Sequence, residues 1–251
     1  MSKFDRLSVY AVLLASGLAL FACRGRQTKD KYTDTATSGF ISISADESFR
    51  RIVQQEIDVF ESIYTMAGID PIYASEVDAI NLLLKDSVRL TVSTRRLTDA
   101  EKAGLEEKKF FPKEFKVASD AIALIVNRQN PDSIISLKDL SRILTGEVTE
   151  WSELYPGSKL GKLQLVFDNP NSSTVRYAID SICRGRPLAG SLHAQKSNAE
   201  VIDFVAQSPS AIGVIGVSWV GSESDSTNLS FSDRVTVMAV SREEKATEQN
   251  S

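Results

Sequence analysis

The hydrophobic pattern of this chain alternates between short apolar runs and stretches that repeat every 3.6 residues. Phe40 to Ile43 reads as a strand, and Phe49, Ile52, Val53, Ile57, Phe60 and Ile63 then mark one face of a helix. Pro71 to Tyr73 and Val88 to Val92 are strands flanking a helix from Glu76 to Lys85. Thr98-Asp99-Ala100-Glu101 has the form of a capping box that opens another helix. Ala121 to Val126 is a continuous apolar strand, and Leu137 to Leu144 is a short helix ended by Gly146. Leu163, Leu165, Val166 and Phe167 form the next strand, and Val175, Ala178, Ile179 and Ile182 the face of the next helix. Asn198 to Ala206 is helical, and Ile212 to Ile215 and Val235 to Val240 are strands. Such alternation predicts α/β layers with mainly parallel sheets, whose ligands lie beyond the carboxyl ends of the strands.

Four of these strand-to-helix junctions are polar in a particular way. Asn171-Ser172-Ser173-Thr174 separates the strand ending at Phe167 from its helix. The first amides of a helix have no intrahelical acceptor and carry partial positive charge, so hydroxyls on that turn complete a donor cluster for phosphate or a similar oxyanion. Ser, Thr and Asn are also the ordinary N-caps of any helix, and the pattern leaves both readings open. Ser44-Ala45-Asp46-Glu47-Ser48, Ala74-Ser75 and Ser93-Thr94-Arg95-Arg96 occupy the other three junctions. Together they predict one anion held between two lobes.

The amino terminus bears on location. Lys3 and Arg6 precede an uncharged run from Leu7 to Ala22, too short for a comfortable membrane span and suited to a signal-peptide core. The run ends Leu20-Phe21-Ala22-Cys23, which resembles the lipobox of bacterial lipoproteins; a retained signal anchor is the rival reading. Residues 1–22 are expected to be a signal peptide, Cys23 the lipid attachment site, and 23–38 a polar tether, placing the domain in the cell envelope, periplasmic or at the cell surface. Cys183 then has no partner and is expected to be a buried hydrophobe.

The chain carries 29 Lys and Arg against 33 Asp and Glu, a net charge of −4, and removing residues 1–22 makes it one unit more negative. A nucleic-acid footprint is absent, so a bound anion has to be captured by local geometry. Catalysis finds little support. The single histidine, His193, has no patterned partner for a triad or metal site, the carboxylates show no metal-ligand spacing, and no glycine-rich nucleotide loop is present. No catalytic residue, metal or cofactor is expected, and Trp151 and Trp219 are expected to pack at layer edges.

The segment Ala118-Ser-Asp120-Ala-Ile-Ala-Leu-Ile-Val-Asn127, followed by the leucine-rich helix and Gly…Trp turn within Ile134 to Trp151, resembles the periplasmic phosphate-binding proteins of ABC phosphate transporters. The resemblance covers about residues 39 to 240 and is more specific in its second half. It implies a type II periplasmic-binding-protein fold with two α/β lobes: 39–117 plus 217–240 as lobe 1, 118–216 as lobe 2 and 241–251 as a polar tail. Hinges would lie near Val117 to Ser119 and Ile212 to Val217. The function implied is a monomer that binds inorganic phosphate and delivers it to ABC permease subunits, held on a lipid membrane through Cys23. The alternatives are an envelope lipoprotein that uses the fold for sensing or protein contacts with weak or no phosphate binding, and, less supported, a phosphate-ester hydrolase.

Carried over by position, Ser172, Ser173 and Thr174 match the family's Ser-Gly-Thr phosphate turn, with Asn171 just before it. Ser75 matches its second capping serine, and Glu47 and Ser48 fall near its first binding turn. Two positions depart. Thr94 stands where the family has an aspartate, and Asp168 where it has an arginine. The resemblance therefore implies that Arg95 supplies the guanidinium and Asp168 the carboxylate, one from each lobe. Asp168 has two open roles, accepting a proton from the ligand or capping the turn of Asn169, Pro170 and Asn171.

Overall fold

A computed structural model describes residues 34–190, 192–221 and 232–250. The expectations about residues 1–22 and most of the tether fall outside them. In lobe 1, β1 (Ser38–Asp46) leads through a single 3-10 turn into α1 (Arg50–Ile63), then β2 (Met66–Ala74), α2 (Glu76–Leu84), β3 (Leu90–Val92) and α3 (Asp99–Glu107). Its sheet has the order β2-β1-β3 and is entirely parallel. Register places Asp46 opposite Ala74 and Ala45 opposite Val92, so the three strands end together and release their polar junctions along one edge. The junctions fold as local chemistry dictates. Ser75 caps α2 by accepting from the Asp78 amide, and Thr98 and Glu101 form the complete capping box of α3.

Lobe 2 contains β4 (Ile122–Asn127), β5 (Ile134–Ser136), α4 (Leu137–Leu144), β6 (Gln164–Phe167), α5 (Ser173–Tyr177), β7 (His193–Ala194), α6 (Asn198–Gln207), β8 (Ala211–Gly216), β9 (Val235–Val237) and β10 (Ala239–Ser241). The helix begun by α5 widens into a π turn over Ala178–Ile182. The main sheet has the order β7-β6-β8-β4-β9. One of its faces packs on Leu140, Ile143, Leu144 and Trp151, and the other on Val201, Ile202 and Val205 of α6. Burial on both faces explains why β4 and β8 read as unbroken apolar runs.

Three expectations change. The second sheet is mixed, since β4 runs antiparallel to both β8 and β9. Residues 235–240 belong to lobe 2: β9 pairs with β4 and β10 with β5, because the free edge of β4 needs a partner and Val235 and Met238 drop into the two cores on either side. Val217 to Gly221 leans back on lobe 1, where Trp219 donates to the Ser48 carbonyl (3.0 Å), Arg51 stacks on its ring and Arg51 donates to the Gly221 carbonyl (3.0 Å). Ile212 to Gly216 is consequently no hinge but the buried middle of the sheet. Val117 to Ser119 is exposed and without regular structure.

Gly213 shows how tightly β8 sits. A Cβ there would lie 2.8 Å from Ile125, Val201 and Val205 side chains. Gly213→Ala is expected to lower stability by about 1–3 kcal/mol through overpacking, seen as a lower urea midpoint at unchanged m.

Candidate functional site

The hydroxyl turn after β6 is organised by Asp168, which is 1% exposed. Its Oδ1 accepts from the hydroxyls of Ser172 (2.7 Å) and Thr174 (2.6 Å), and its Oδ2 accepts from Asn198 Nδ2 (3.2 Å). The turn-capping role foreseen for Asp168 does not describe this. The Asx turn is made by Asn169, whose Oδ1 accepts from the Asn171 amide at 2.9 Å, while Asp168 gathers the hydroxyls themselves. Ser172 in turn accepts from the Val175 amide, capping α5. The Ser173 and Thr174 amides, on the first turn, meet no acceptor among the described residues.

Opposite this turn stands the end of β1. Ser48 Oγ lies 3.5 Å from Ser173 Oγ, and Glu47 Oε2 accepts from both the side chain (2.6 Å) and the amide (3.2 Å) of Asn198. Asn198 is completely buried, and its Oδ1 accepts from the Gly216 amide at 2.9 Å. It is a hub that ties Glu47 of one lobe to Asp168 of the other. Two carboxyl oxygens here, Asp46 Oδ2 and Glu47 Oε1, have no hydrogen-bond partner among the described residues, and Arg50 Nε lies 3.7 Å from the latter. Burial pushes both carboxyls above their ordinary range; the Ser173 hydroxyl and Ser48 amide oppose this for Asp46, and Asn198 opposes it for Glu47.

The lobes are joined a second time by Arg176, which follows the hydroxyl turn on α5. Its Nε donates to Glu76 Oε2 at 2.6 Å, and its Nη2 donates to Glu76 Oε1 (3.3 Å) and Thr94 Oγ1 (2.5 Å). Glu76 also accepts from the Thr94 amide (3.1 Å) and the Thr94 hydroxyl. Burial raises the pKa of Glu76, but the Arg176 and Thr94 hydrogen bonds outweigh it and hold the carboxyl below the usual range. Beside this bridge the Val77 amide of α2 reaches the Asn171 carbonyl at 3.5 Å.

The expected pairing of Arg95 with Asp168 is corrected by this geometry. Arg95 turns away to a bidentate pair with Glu101 of its own lobe, at 2.8 Å on both arms, and that pairing pulls the Glu101 carboxyl down to about 2. The capping box had already placed Glu101 beside the loop, so the nearest partner wins. Of the ten residues expected from sequence, Glu47, Ser48, Asp168, Ser172, Ser173 and Thr174 meet in one buried cluster, and Thr94 joins the Arg176 bridge. Asn171 offers its carbonyl, Ser75 spends its hydroxyl on Asp78 (2.7 Å), and Arg95 lies outside. Asp46, Glu76, Arg176 and Asn198 were missed. Each looks like a routine helix-end or strand-end residue in sequence; the only signal is that Glu76 directly follows the cap Ser75 and Arg176 lies one turn past the cap Ser172.

Elsewhere, Cys183 is buried, Trp151 is enclosed with Nε1 on the Ser210 carbonyl (2.9 Å), and His193 stacks on Phe204 at the sheet margin. No group of acids, histidines and cysteines among the described residues has metal-binding geometry.

Comparison with known proteins agrees with this architecture. A PBP superfamily domain model matches residues 30–250. The chain belongs to the PBP superfamily. Among relatives in this superfamily, the phosphate-binding protein PstS of Bacillus subtilis is 26% identical over 226 residues, covering 84% of this chain and 71% of the relative. PstS of Pseudomonas aeruginosa is 24% identical over 199 residues, covering 74% of this chain; the match spans 61% of that protein's length. A solved structure of a putative phosphate ABC transporter substrate-binding protein from Clostridium perfringens, with bound phosphate, superposes with a TM-score of 0.68 at 24% identity, covering 84% of this chain and 79% of that one. The superfamily fold also appears in the OxyR2 regulatory domain of Vibrio vulnificus, with a TM-score of 0.54 at 10% identity, covering 82% of each chain.

Two substitutions test the electrostatics. Arg176→Ala strands a buried carboxyl and is expected to cost about 2 kcal/mol at pH 7, below the full buried-pair value because Arg176 is partly exposed. Because the folded Glu76 pKa lies below 4.5, its stabilisation is present above that pH and fades as pH falls through the folded value, so urea titrations should show the deficit of the variant narrowing in acid. Asp46 has the opposite sign. Its folded pKa is raised above 3.8, so the wild type loses stability as pH rises through that window, and Asp46→Asn should gain about 1 kcal/mol at pH 7 and little at pH 4.

Proposed function

We propose that the cleft binds phosphate and that the protein is the extracytoplasmic, lipid-anchored binding component of an ABC phosphate transporter, acting as a carrier rather than an enzyme. The observation that carries this is the turn Ser172–Arg176, which presents unused amides, two hydroxyls and a guanidinium at the junction of two lobes. Likeness to PstS proteins supports the choice of phosphate. Glu47, Ser48, Ser75, Thr94, Asp168 and Asn171 to Thr174 remain the proposed ligand-facing set, with Arg176 taking the place first given to Arg95.

The donors divide by role. The Arg176 donors that do not rest on Glu76 lie on Thr94 and, at 3.5 Å, on Asp180, and an arriving oxyanion competes for them, while the Ser173 and Thr174 amides bind it from beneath. The Ser172 and Thr174 hydroxyl protons are committed to Asp168, so these oxygens face the cleft as acceptors. A ligand that brings its own hydrogen, as hydrogen phosphate does, satisfies them, whereas fully ionised sulfate does not. Because the ligand touches both lobes, binding shifts the balance between open and closed forms.

A second reading is favoured by one feature. Asp46, Glu47, Glu76 and Asp168 place four buried carboxyl groups around the cleft against two arginines, Arg176 on Glu76 and the half-exposed Arg50 at 3.7 Å from Glu47. An envelope protein that uses the fold for sensing or protein contacts, with weak anion binding, fits that balance.

Calorimetric titration of the full chain with phosphate and sulfate separates the two. Micromolar or tighter phosphate binding, at least about tenfold weaker in Arg176→Ala and absent for sulfate, is expected. Silence toward both anions favours the second reading, and an Arg176→Ala variant that binds phosphate as well as the parent removes Arg176 from the site.

A further inference from the structure

The strand order of lobe 1, β2-β1-β3, sends the first crossover outward from β1 and the second back past it. With right-handed crossovers, α1 and α2 therefore cover opposite faces of that sheet. The two lobes are fastened on each side. On the side of α2 stands the bridge from Arg176 to Glu76 and Thr94, joined by the long contact of the Val77 amide with Asn171. On the side of α1 the fastening is of another kind. The Ser48 carbonyl accepts from both Ser218 Oγ and Trp219 Nε1, each at 3.0 Å. Arg51 of α1 lies with its Cζ 4.5 Å from the Trp219 ring centroid and donates to the Gly221 carbonyl at 3.0 Å. Gly216 completes the seat, since a Cβ there would come within 3.3 Å of the Ser48 side chain and carbonyl.

The two fastenings differ in what parting them exposes. The Arg176 side chain is 36% exposed, so parting the bridge hands its charges to water that is already at hand, and a pair in such a setting is weakly held. Trp219 is 5% exposed, and parting its clasp would bare an indole and strip the Ser48 carbonyl of two donors at once. Chain geometry points the same way. The Val217 amide donates to the Ala121 carbonyl at 2.9 Å, so the passage from lobe 1 into lobe 2 and the turn that leans back on lobe 1 lie side by side, next to the clasp. A contact beside the covalent crossing travels least when the lobes rotate.

We propose that Arg51 and Trp219 are positioning residues that hold Ser48 on lobe 2, and that lobe 1 swings about this clasp while the Arg176 bridge is the lip that parts. Ser48 then stays beside Ser173 in the open protein as in the closed one, and Ser75, Glu76 and Thr94 are the groups carried away. For a bound oxyanion this means a half-site assembled before closure. That consequence rests on the phosphate reading, whereas the clasp and its swing do not.

The test uses the full chain carrying Cys23→Ser, without phosphate, so its outcome is separate from whether the cleft binds that anion. Spin labels at Arg96→Cys, in the loop that carries Thr94, and at Ser181→Cys, in the π turn after Arg176, span the lip; Cys183 is buried and stays unlabelled. Acrylamide quenching of tryptophan reads the clasp, because the chain has two tryptophans and Trp151 is wholly buried inside lobe 2. Arg176→Ala is expected to lengthen the label distance by more than about 2 Å, with quenching and the Ser48 amide resonance as in the parent. Arg51→Ala is expected to raise quenching and move the Ser48 resonance, and Arg51→Lys, which keeps a cation over the ring, to restore both in part. Quenching that rises together with the label distance in Arg176→Ala, or a label distance that this variant leaves unchanged, overturns the proposal. So does an Arg51→Ala protein in which Trp219 stays as shielded, and the Ser48 resonance in the same place, as in the parent.

Discussion

Glu76 is 1% exposed and lies at the first turn of α2, where a buried carboxylate would be costly without a cation. The guanidinium that balances it belongs to Arg176 of the other lobe, at 2.6 Å. Within its own lobe Glu76 has only the Thr94 donors and Arg176 only Asp180 at 3.5 Å, so the ion pair across the lobes couples lobe packing to the state of the cleft. The hydroxyl turn from Ser172 to Thr174, the Thr94 hydroxyl and the Val77 amide are gathered around it by the same approach of α2 to α5. Asn198 repeats the principle on the other side, tying Glu47 to Asp168.

Such a site is built against local stability. Asp46 keeps an oxygen without a hydrogen-bond partner in a buried setting, Glu47 Oε1 has only the Arg50 guanidinium at 3.7 Å, and Asp168 holds hydroxyl protons that an ordinary anion site would offer to its ligand. Groups left in that condition are expected where a protein keeps binding capacity at the expense of folding free energy. The position-by-position departures from the phosphate-binding proteins fall into a pattern. Under the proposed function, Glu76 would stand in for the carboxylate absent at Thr94 and Arg176 for the guanidinium absent at Asp168, and both bond Thr94. The ion pair between Glu76 and Arg176 keeps opposite charges across the cleft.

Much of this was legible in the chain itself. Period changes located most of the helices and strands, and cap chemistry located the turns at Ser75, Thr98 and Ser172, because these are decided within a few residues. What was not legible depends on contacts distant in sequence. Arg95 was assigned to the cleft since nothing local says that Glu101 lies nearer, and Arg176 was overlooked because an arginine on a helix usually faces water. The run 235–240 pairs with β4 and β5 rather than with the sheet of lobe 1, as an apolar run does not reveal which sheet edge it will complete. Likewise β2 begins at Met66, earlier than its apolar core suggests, because pairing with β1 extends it.

The central claim is that one anion is held by both lobes at once, and phosphate titration followed by amide NMR tests it most directly. Resonances of Ser173 and Thr174 in lobe 2 and of Glu76 and Val77 in lobe 1 should move together, with a single dissociation constant, along with the Nε signal of Arg176. Shifts confined to one lobe, or none at any of these positions at saturating phosphate, would contradict it.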